Sequence, residues 1–84
     1  MKNVFFHAMR EFFSAKQKHP TVISSMIVYI SAEDAANFQE YIEENFQKVD
    51  SSYANNKQNA KLYYHFAVVY FEKREDSTYK VIIY

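Results

Sequence analysis

The chain has 84 residues, with 8 phenylalanines, 8 tyrosines and one proline, and it contains no glycine and no cysteine. A chain of this length forms one domain and buries only about 60–65% of its unfolded surface. Without glycine it lacks phosphate-binding loops, dinucleotide-binding fingerprints and the nucleophile elbow, because each needs backbone that only glycine supplies. Without cysteine it has no disulfide, no thiolate-bound zinc and no thiol nucleophile. These absences exclude most classes of enzyme that a sequence can reveal.

Formal charge is zero overall, with 10 basic and 10 acidic residues, but it is unevenly distributed. Residues 1–20 carry four cations against one acid, whereas residues 31–50 carry six acids against one lysine. A dedicated nucleic-acid-binding domain usually has a basic excess, which this chain lacks. The asymmetry is typical of a polarised surface with a charged partner, or of an acidic helix face in contact with solvent.

The first half of the chain predicts a helix followed by a strand. Residues 3–17 form the helix, with Asn3 as its N-cap and Pro20 preventing its continuation. Residues 21–30 are rich in β-branched side chains and predict a strand that is covered on both faces. The apolar stripe of the helix consists of Phe5, Phe6, Met9, Phe12, Phe13 and Lys16.

A second helix is predicted over residues 32–48. Ser31 is expected to cap it by accepting a hydrogen bond from the backbone N–H of Asp34. Acidic residues in the first turn also suit the positive end of the helix dipole. The apolar face comprises Ala35, Phe38, Ile42, Phe46 and Val49, and the opposite face comprises Glu40, Glu43, Glu44 and Gln47.

The remaining residues predict a loop and a β-hairpin. Residues 50–60 are polar and indicate an exposed loop, residues 61–73 a long strand, and residues 78–84 its hairpin partner. A connection over residues 74–78 tolerates the missing glycine better than a two-residue turn, which needs positive φ.

The predicted order is α-β-α-β-β, a single α+β domain over residues 1–84 with a three-stranded, mostly antiparallel sheet and two helices. The strand–helix–strand segment in its middle suits a right-handed crossover between parallel strands. The alternative is a winged helix, in which residues 51–60 form a recognition helix with Lys57 and Lys61 facing phosphates.

The histidines offer little for metal or catalytic chemistry. His7 and Glu11 have the spacing of two metal ligands on one helix face, but no third ligand is identifiable, and a surface hydrogen bond is the simpler interpretation. His19 and His65 are not paired with a nucleophile at a readable spacing. We therefore predict no metal, no cofactor and no enzymatic activity.

The predicted strands carry more apolar surface than two short helices cover easily. A helix on each face of the sheet would bury it in the ordinary way. If both helices share one face, the other exposes a patch larger than monomers usually tolerate. That patch would contain Tyr63, His65, Val69, Phe71, Ile82 and Tyr84.

From these features we predict a small, non-enzymatic protein-binding module that masks the surface of another protein and forms a homodimer. Tyrosine and phenylalanine dominate such interfaces, and the acidic helix would face a basic partner surface. The predicted partner-binding residues are Glu40, Glu43, Glu44, Tyr63, His65, Phe71, Arg74 and Tyr84.

Lysine outnumbers arginine 8 to 2, and tyrosine, phenylalanine and asparagine are frequent, which fits an AT-rich coding sequence. Size and composition together suggest an inhibitor or accessory factor of a phage or mobile element, of the anti-restriction or anti-CRISPR type, in the host cytoplasm. The alternative function is nucleic-acid binding by the aromatic and basic residues of the C-terminal hairpin. No apolar run is long enough for a membrane helix, so no membrane partner is predicted.

Overall fold

The structure is a computed structural model that describes residues 4–84. Its five strands form one antiparallel sheet with the spatial order β1-β5-β4-β3-β2. The predicted N-cap, Asn3, lies outside the described residues. In chain order the elements are α1 (Val4–Lys18), β1 (Met26–Ser31), α2 (Ala32–Asn45), β2 (Asp50–Ala54), β3 (Asn59–Tyr63), β4 (Val68–Lys73) and β5 (Thr78–Ile83).

The prediction of a three-stranded sheet in the order α-β-α-β-β is wrong, because the order is α-β-α-β-β-β-β with five strands. The winged helix is wrong as well, since residues 51–60 form β2, a turn and the start of β3 and not a recognition helix. The predicted parallel crossover between residues 21–30 and 61–73 is also wrong, because β1 pairs with β5 and every strand pair of the sheet is antiparallel.

The predicted long strand over residues 61–73 is two strands joined by a tight turn at residues 64–67. The Tyr64 N–H donates to the Ala67 carbonyl at 2.8 Å and closes this turn. Leu62 and Val69 would lie on opposite faces of a continuous strand, because side chains alternate. In the hairpin they are directly opposite each other and therefore share one face.

The residues predicted as a loop contain the polar strand β2, whose sequence is Asp-Ser-Ser-Tyr-Ala. Aspartate and, to a lesser degree, alanine are depleted in strands, so local propensity gives little support for a strand here. Pairing with β3 in a five-residue ladder nevertheless places the segment in the sheet. A non-local interaction has overridden the local preference.

Both helices pack on the same face of the sheet. The Phe38 ring of α2 lies with its centroid 6.3 Å from the rings of both Phe13 in α1 and Phe71 in β4. Edge-on and tilted contacts of this kind add to the free energy gained by burying the rings. The buried core comprises Met9, Phe13, Val28, Ile30, Ala35, Phe38, Ile42, Ala60, Leu62, Tyr64, Ala67, Val69, Phe71, Val81 and Ile83.

The helices follow their predictions closely. The Ser31 hydroxyl caps α2 by accepting the Asp34 N–H at 3.1 Å, and three predicted apolar positions of α2 are buried. The helix ends at Asn45, three residues before the predicted end, so that Phe46 is its C-cap. Val49 of the predicted apolar face lies beyond the helix and is 53% exposed. Lys16 of the predicted α1 stripe is buried, with its ammonium donating to the Ser24 carbonyl at 2.9 Å.

Strand β1 begins at Met26, five residues later than predicted, and it is covered on one face only. Val28 and Ile30 face the helices and are buried. Ile27 and Tyr29 point to the other face and remain 54% and 51% exposed. The prediction of a strand covered on both faces is therefore wrong, because α1 and α2 lie on the same side.

Candidate binding surface

The face of the sheet opposite the helices, here called the open face, is the main feature that the fold leaves uncovered. One row of it crosses all five strands, because the paired residues in register are Ile27, Ile82, Tyr70, Lys61 and Ser52. Strand alternation assigns to the open face the residues Ile27, Tyr29, Ser31, Asp50, Ser52, Ala54, Asn59, Lys61, Tyr63, Val68, Tyr70, Glu72, Thr78, Lys80, Ile82 and Tyr84.

The open face exposes large apolar side chains. Ile27 and Tyr29 are about half exposed, and Tyr84 is 47% exposed. Tyr84 follows β5 and stays in the ladder through two backbone hydrogen bonds with Val68, of 2.7 and 2.9 Å. Single exposed apolar residues are normal, but a contiguous group rimmed by charges is typical of a binding surface.

Cations lie against tyrosine rings of this face. The Lys61 ammonium is 6.0 Å from the ring centroids of both Tyr63 and Tyr70. The Arg74 guanidinium, from the turn between β4 and β5, is 4.6 Å from the ring centroid of Tyr29. Each contact is a cation–π interaction of about 0.5–1 kcal/mol at an exposed site. The contacts hold two long basic side chains over the apolar surface.

The turn that carries Arg74 is fixed by its own hydrogen bonds. The hydroxyl and the backbone N–H of Thr78 donate to the Asp76 carboxylate, and this lowers the pKa of Asp76. The Arg74 guanidinium lies 3.5 Å from Asp76 Oδ2 and donates to the Thr78 hydroxyl at 3.4 Å. Ser77 takes a positive φ of 70° at the position where such a turn favours glycine.

The predicted sheet residues of the binding surface do not all reach the open face. Tyr63 and Tyr84 lie on it, and Arg74 covers Tyr29 at its β1 end. Phe71 is 2% exposed and packs in the core, because the turn at residues 64–67 reverses the facing of β4 relative to a continuous strand. His65 lies within that turn and is exposed.

Ile27, Tyr29 and Tyr70 belong to the open face but are absent from the predicted set. The turn that controls the facing of Tyr70 contains no glycine, proline or asparagine, so it carries none of the usual turn residues. The signal that could have revealed this turn is the length of the predicted strand over residues 61–73. Its 13 residues are more than twice the usual five or six.

The predicted acidic residues form a separate surface. Glu40, Glu43 and Glu44 are exposed on α2, in the helical layer on the other side of the sheet. Glu43 Oε2 accepts a hydrogen bond from the Lys48 ammonium at 3.0 Å, and this ion pair raises the pKa of Lys48. The acidic and aromatic predictions therefore describe two surfaces and not one.

The helices also border a shallow depression of about 590 Å³. Its acidic side chain, Glu11, has its Oε2 atom 3.1 Å from His7 Nε2, and these two residues are the predicted surface pair. The Arg10 guanidinium lies 4.4 Å from the ring centroid of Tyr41 on the opposite helix. Within residues 4–84 no group of three or more His, Asp or Glu side chains is placed to hold a metal ion. The lining consists of His7, Arg10, Glu11, Ser14, Ala15, Lys18, His19 and Tyr41.

No protein-family model, no curated protein and no solved structure matches this chain. Neither helix within residues 4–84 has the length and apolar character needed to cross a membrane. Function is therefore inferred from the open face and its chemistry.

Proposed function

We propose that the protein is a small, non-enzymatic binding module that masks the surface of another protein through its open face. Its role is that of an inhibitor or accessory factor of a phage or mobile element, of the anti-restriction or anti-CRISPR type, acting in the host cytoplasm. The single observation that supports binding of another protein is the helix-free face that exposes Ile27, Tyr29 and Tyr84. Tyrosines of this kind give a large contact area at a low cost in side-chain entropy.

The open face has the arrangement of an interface core with a charged rim. Ile82 and Tyr70 are half-buried at its centre, where a partner excludes the remaining water. Charged side chains of both signs surround this centre, for example Lys61, Lys80 and Glu72. Mixed rim charges select a partner with a complementary pattern and contribute more to specificity than to affinity.

A nucleic-acid partner is the second candidate, and the positions of Lys61 and Arg74 beside tyrosine rings favour it. Proteins that bind single strands use aromatic rings as stacking surfaces and cations as phosphate contacts. Here, however, Arg74 lies over the ring face of Tyr29 on which a base would stack. Isoleucines and Glu72 also interrupt the tyrosines, and the chain has no net positive charge. These features favour a protein partner.

The first test separates the two partner classes. The purified chain is titrated into a labelled single-stranded oligonucleotide and a labelled duplex, each at a low and a high salt concentration. We expect no saturable binding in the micromolar range to either probe. Binding that weakens steeply with salt would overturn the protein-binding proposal, since counterion release is the signature of phosphate contacts.

The second test locates the surface. Affinity capture from a low-GC bacterial lysate is run with the wild-type chain, a Tyr70→Glu variant and a Glu40→Lys/Glu44→Lys variant. Tyr70→Glu keeps a cross-strand partner for the new charge, because Lys61 is directly opposite. Circular dichroism of each bait confirms that it is folded.

We expect a protein that binds the wild type and the α2 variant and is lost from Tyr70→Glu. Once that protein is purified, its affinity should fall at least about 30-fold on Tyr70→Glu, as for a central aromatic anchor. Loss on the α2 variant with full binding to Tyr70→Glu would assign the interaction to the acidic helix and refute the open face.

A further inference from the structure

The two edges of the sheet differ in their chemistry. Edge strand β1 and the segment before it contain no charged residue between Lys18 and Glu33. Ile23, in that segment, is fully exposed, and Ile27 and Tyr29 are about half exposed. Natural edge strands usually carry charges, proline or bulges that prevent pairing with another chain. The β1 edge has none of these within residues 21–31.

The opposite edge is protected. Strand β2 has only five residues and begins with Asp50, whose carboxylate accepts the N–H of Ser51 at 2.8 Å. It ends in a turn with three consecutive left-handed residues and an exposed Lys57. A short, polar edge that ends in this way gives little ladder for a further strand. A strand from another chain would therefore pair with the β1 edge and not with the β2 edge.

We propose that β1 pairs in antiparallel orientation with β1 of a second copy of this chain. The two five-stranded sheets then form one continuous sheet of ten strands. A two-fold axis perpendicular to the sheet relates the copies, so that both open faces lie on one side and all four helices on the other. The backbone groups of the free β1 edge obtain hydrogen-bond partners, which is the main gain of strand addition.

Symmetry limits the register of this pairing. Because paired residues share a face, only an open-face residue can be opposite another open-face residue. Centring the pair on Val28 places Ile27 opposite the partner's Tyr29, an aromatic–β-branched pair of the stabilising kind. Centring it on Ile27 or Tyr29 places like apolar residues opposite each other. All three registers bring uncharged side chains of β1 together, but the register centred on Tyr29 also brings together the two Arg74 guanidinium groups that lie against the Tyr29 rings.

The second copy is the occupant that fits the charge pattern best. In the registers centred on Val28 or Ile27, the uncharged strand is placed against itself without a like-charge contact. Stacking two open faces would instead bury the charged side chains of both copies, Lys61, Glu72, Lys80 and Arg74, between the sheets at a cost in desolvation. Edge pairing also leaves the open faces accessible and joins them into one surface. A single six-residue strand makes a small contact, so a weak dimer with a micromolar dissociation constant is expected.

The test measures one distance across the dimer. The chain has no cysteine, so Ser52→Cys on β2 gives a unique site for a nitroxide spin label. In the ten-stranded sheet the two labels are nine strand spacings apart, roughly 40 Å. Two stacked open faces would place them within about 25 Å, because packed sheets are about 10 Å apart. Electron–electron dipolar spectroscopy at roughly 200 µM protein distinguishes these separations.

Two matched lysine substitutions complete the experiment. Ile27→Lys and Ser52→Lys lie in the same row of the open face at opposite edges. We expect sedimentation to show at least about a tenfold weaker dimer for Ile27→Lys and no change for Ser52→Lys. Tyr70→Glu, two strands away from β1, should also dimerise normally.

A dominant distance near roughly 40 Å together with an at least about tenfold weaker dimer for Ile27→Lys supports edge pairing. A monomer at roughly 200 µM, a shorter dominant distance, or a dimer weakened by Ser52→Lys or Tyr70→Glu but not by Ile27→Lys would overturn it. The measurement uses the purified chain without any partner. Its outcome is therefore independent of whether the open face binds another protein.

Discussion

The Tyr64 hydroxyl is buried without a hydrogen-bond partner. Among the described residues, no other buried side-chain nitrogen or oxygen lacks a partner. The ring packs against Phe13, with the centroids 5.1 Å apart. Burial raises the pKa of Tyr64 to about 12, with smaller contributions from Glu43 and Tyr53. The ring stabilises the core, whereas the hydroxyl costs free energy because it has lost its hydrogen bonds to water.

We predict that Tyr64→Phe increases the free energy of unfolding by about 1 kcal/mol at neutral pH, because it removes an unsatisfied buried group and keeps the ring. Urea denaturation followed by circular dichroism measures this. Tyr63→Phe, on the open face, is the matched control and should change stability little. A less stable Tyr64→Phe variant would show that the hydroxyl donates a hydrogen bond in the folded chain.

The wild type and Tyr64→Phe should also differ in how their free energy of unfolding changes in alkaline solution. In the unfolded chain Tyr64 ionises near pH 10.0, and in the folded chain near about 12. Between these values the unfolded state loses its proton first, so ionisation favours unfolding and stability falls as the pH rises. Below pH 10 the tyrosine is protonated in both states, so its ionisation does not reduce the free energy of unfolding there. Tyr64→Phe should show a shallower decline over that interval, and equal slopes would contradict the burial of this hydroxyl.

At the scale of elements, the hairpin between β2 and β3 shows how a chain without glycine makes a tight turn. Asn55, Asn56 and Lys57 have φ values of 52°, 56° and 69°, and the Gln58 N–H donates to the Asn55 carbonyl at 3.0 Å. Asparagine tolerates the left-handed region, but lysine has no side-chain interaction that favours it. Lys57 is therefore the strained position of this turn.

Replacing Lys57 by glycine should increase the free energy of unfolding by about 1 kcal/mol, because glycine reaches positive φ without a steric penalty. Chemical denaturation measures the change. Lys57→Ala is the control: it removes the same charge and keeps the Cβ atom, so no gain is expected. If the alanine variant gains as much as the glycine variant, charge and not backbone strain explains the effect.

The sequence predicts those elements whose signals are local. The capping serine and apolar stripe of α2 identify that helix to within three residues at its end, and β5 is found at residues 78–83. The turn at residues 64–67 is missed because Tyr-His-Phe-Ala contains no residue that favours turns. Strand β2 is missed because its stability comes from pairing with β3, a non-local contact that composition does not encode.

The residues of the candidate surface are likewise predicted correctly only where the signal is local. Glu40, Glu43 and Glu44 are predicted to be exposed on α2 and are, since helical periodicity alone places them. Phe71 is misplaced because one missed turn reverses the facing of every later residue in the strand. Local patterns thus predict which side chains share an element, and only the strand pairing decides which side of the molecule they face.

At the scale of the whole molecule, the open face and the β1 edge leave a small domain with uncovered apolar surface on one side. A chain of 84 residues has an expected stability of only about 4–12 kcal/mol, so association contributes a visible fraction of it. A second copy that binds the folded chain and not the unfolded chain stabilises it by mass action. Thermal stability should then depend on protein concentration.

We predict that the Tm of the wild-type chain rises by about 5 °C between roughly 2 and 200 µM, since about 1 kcal/mol shifts the Tm of a domain this size by 4–8 °C. Ile27→Lys should show a clearly smaller dependence of Tm on concentration, because its edge pairs at least about tenfold more weakly, and Ser52→Lys should behave like the wild type. Differential scanning calorimetry over this range measures all three. A wild-type Tm that stays constant would mean that the folded monomer is stable without a second copy, and that the uncharged β1 edge is tolerated unpaired.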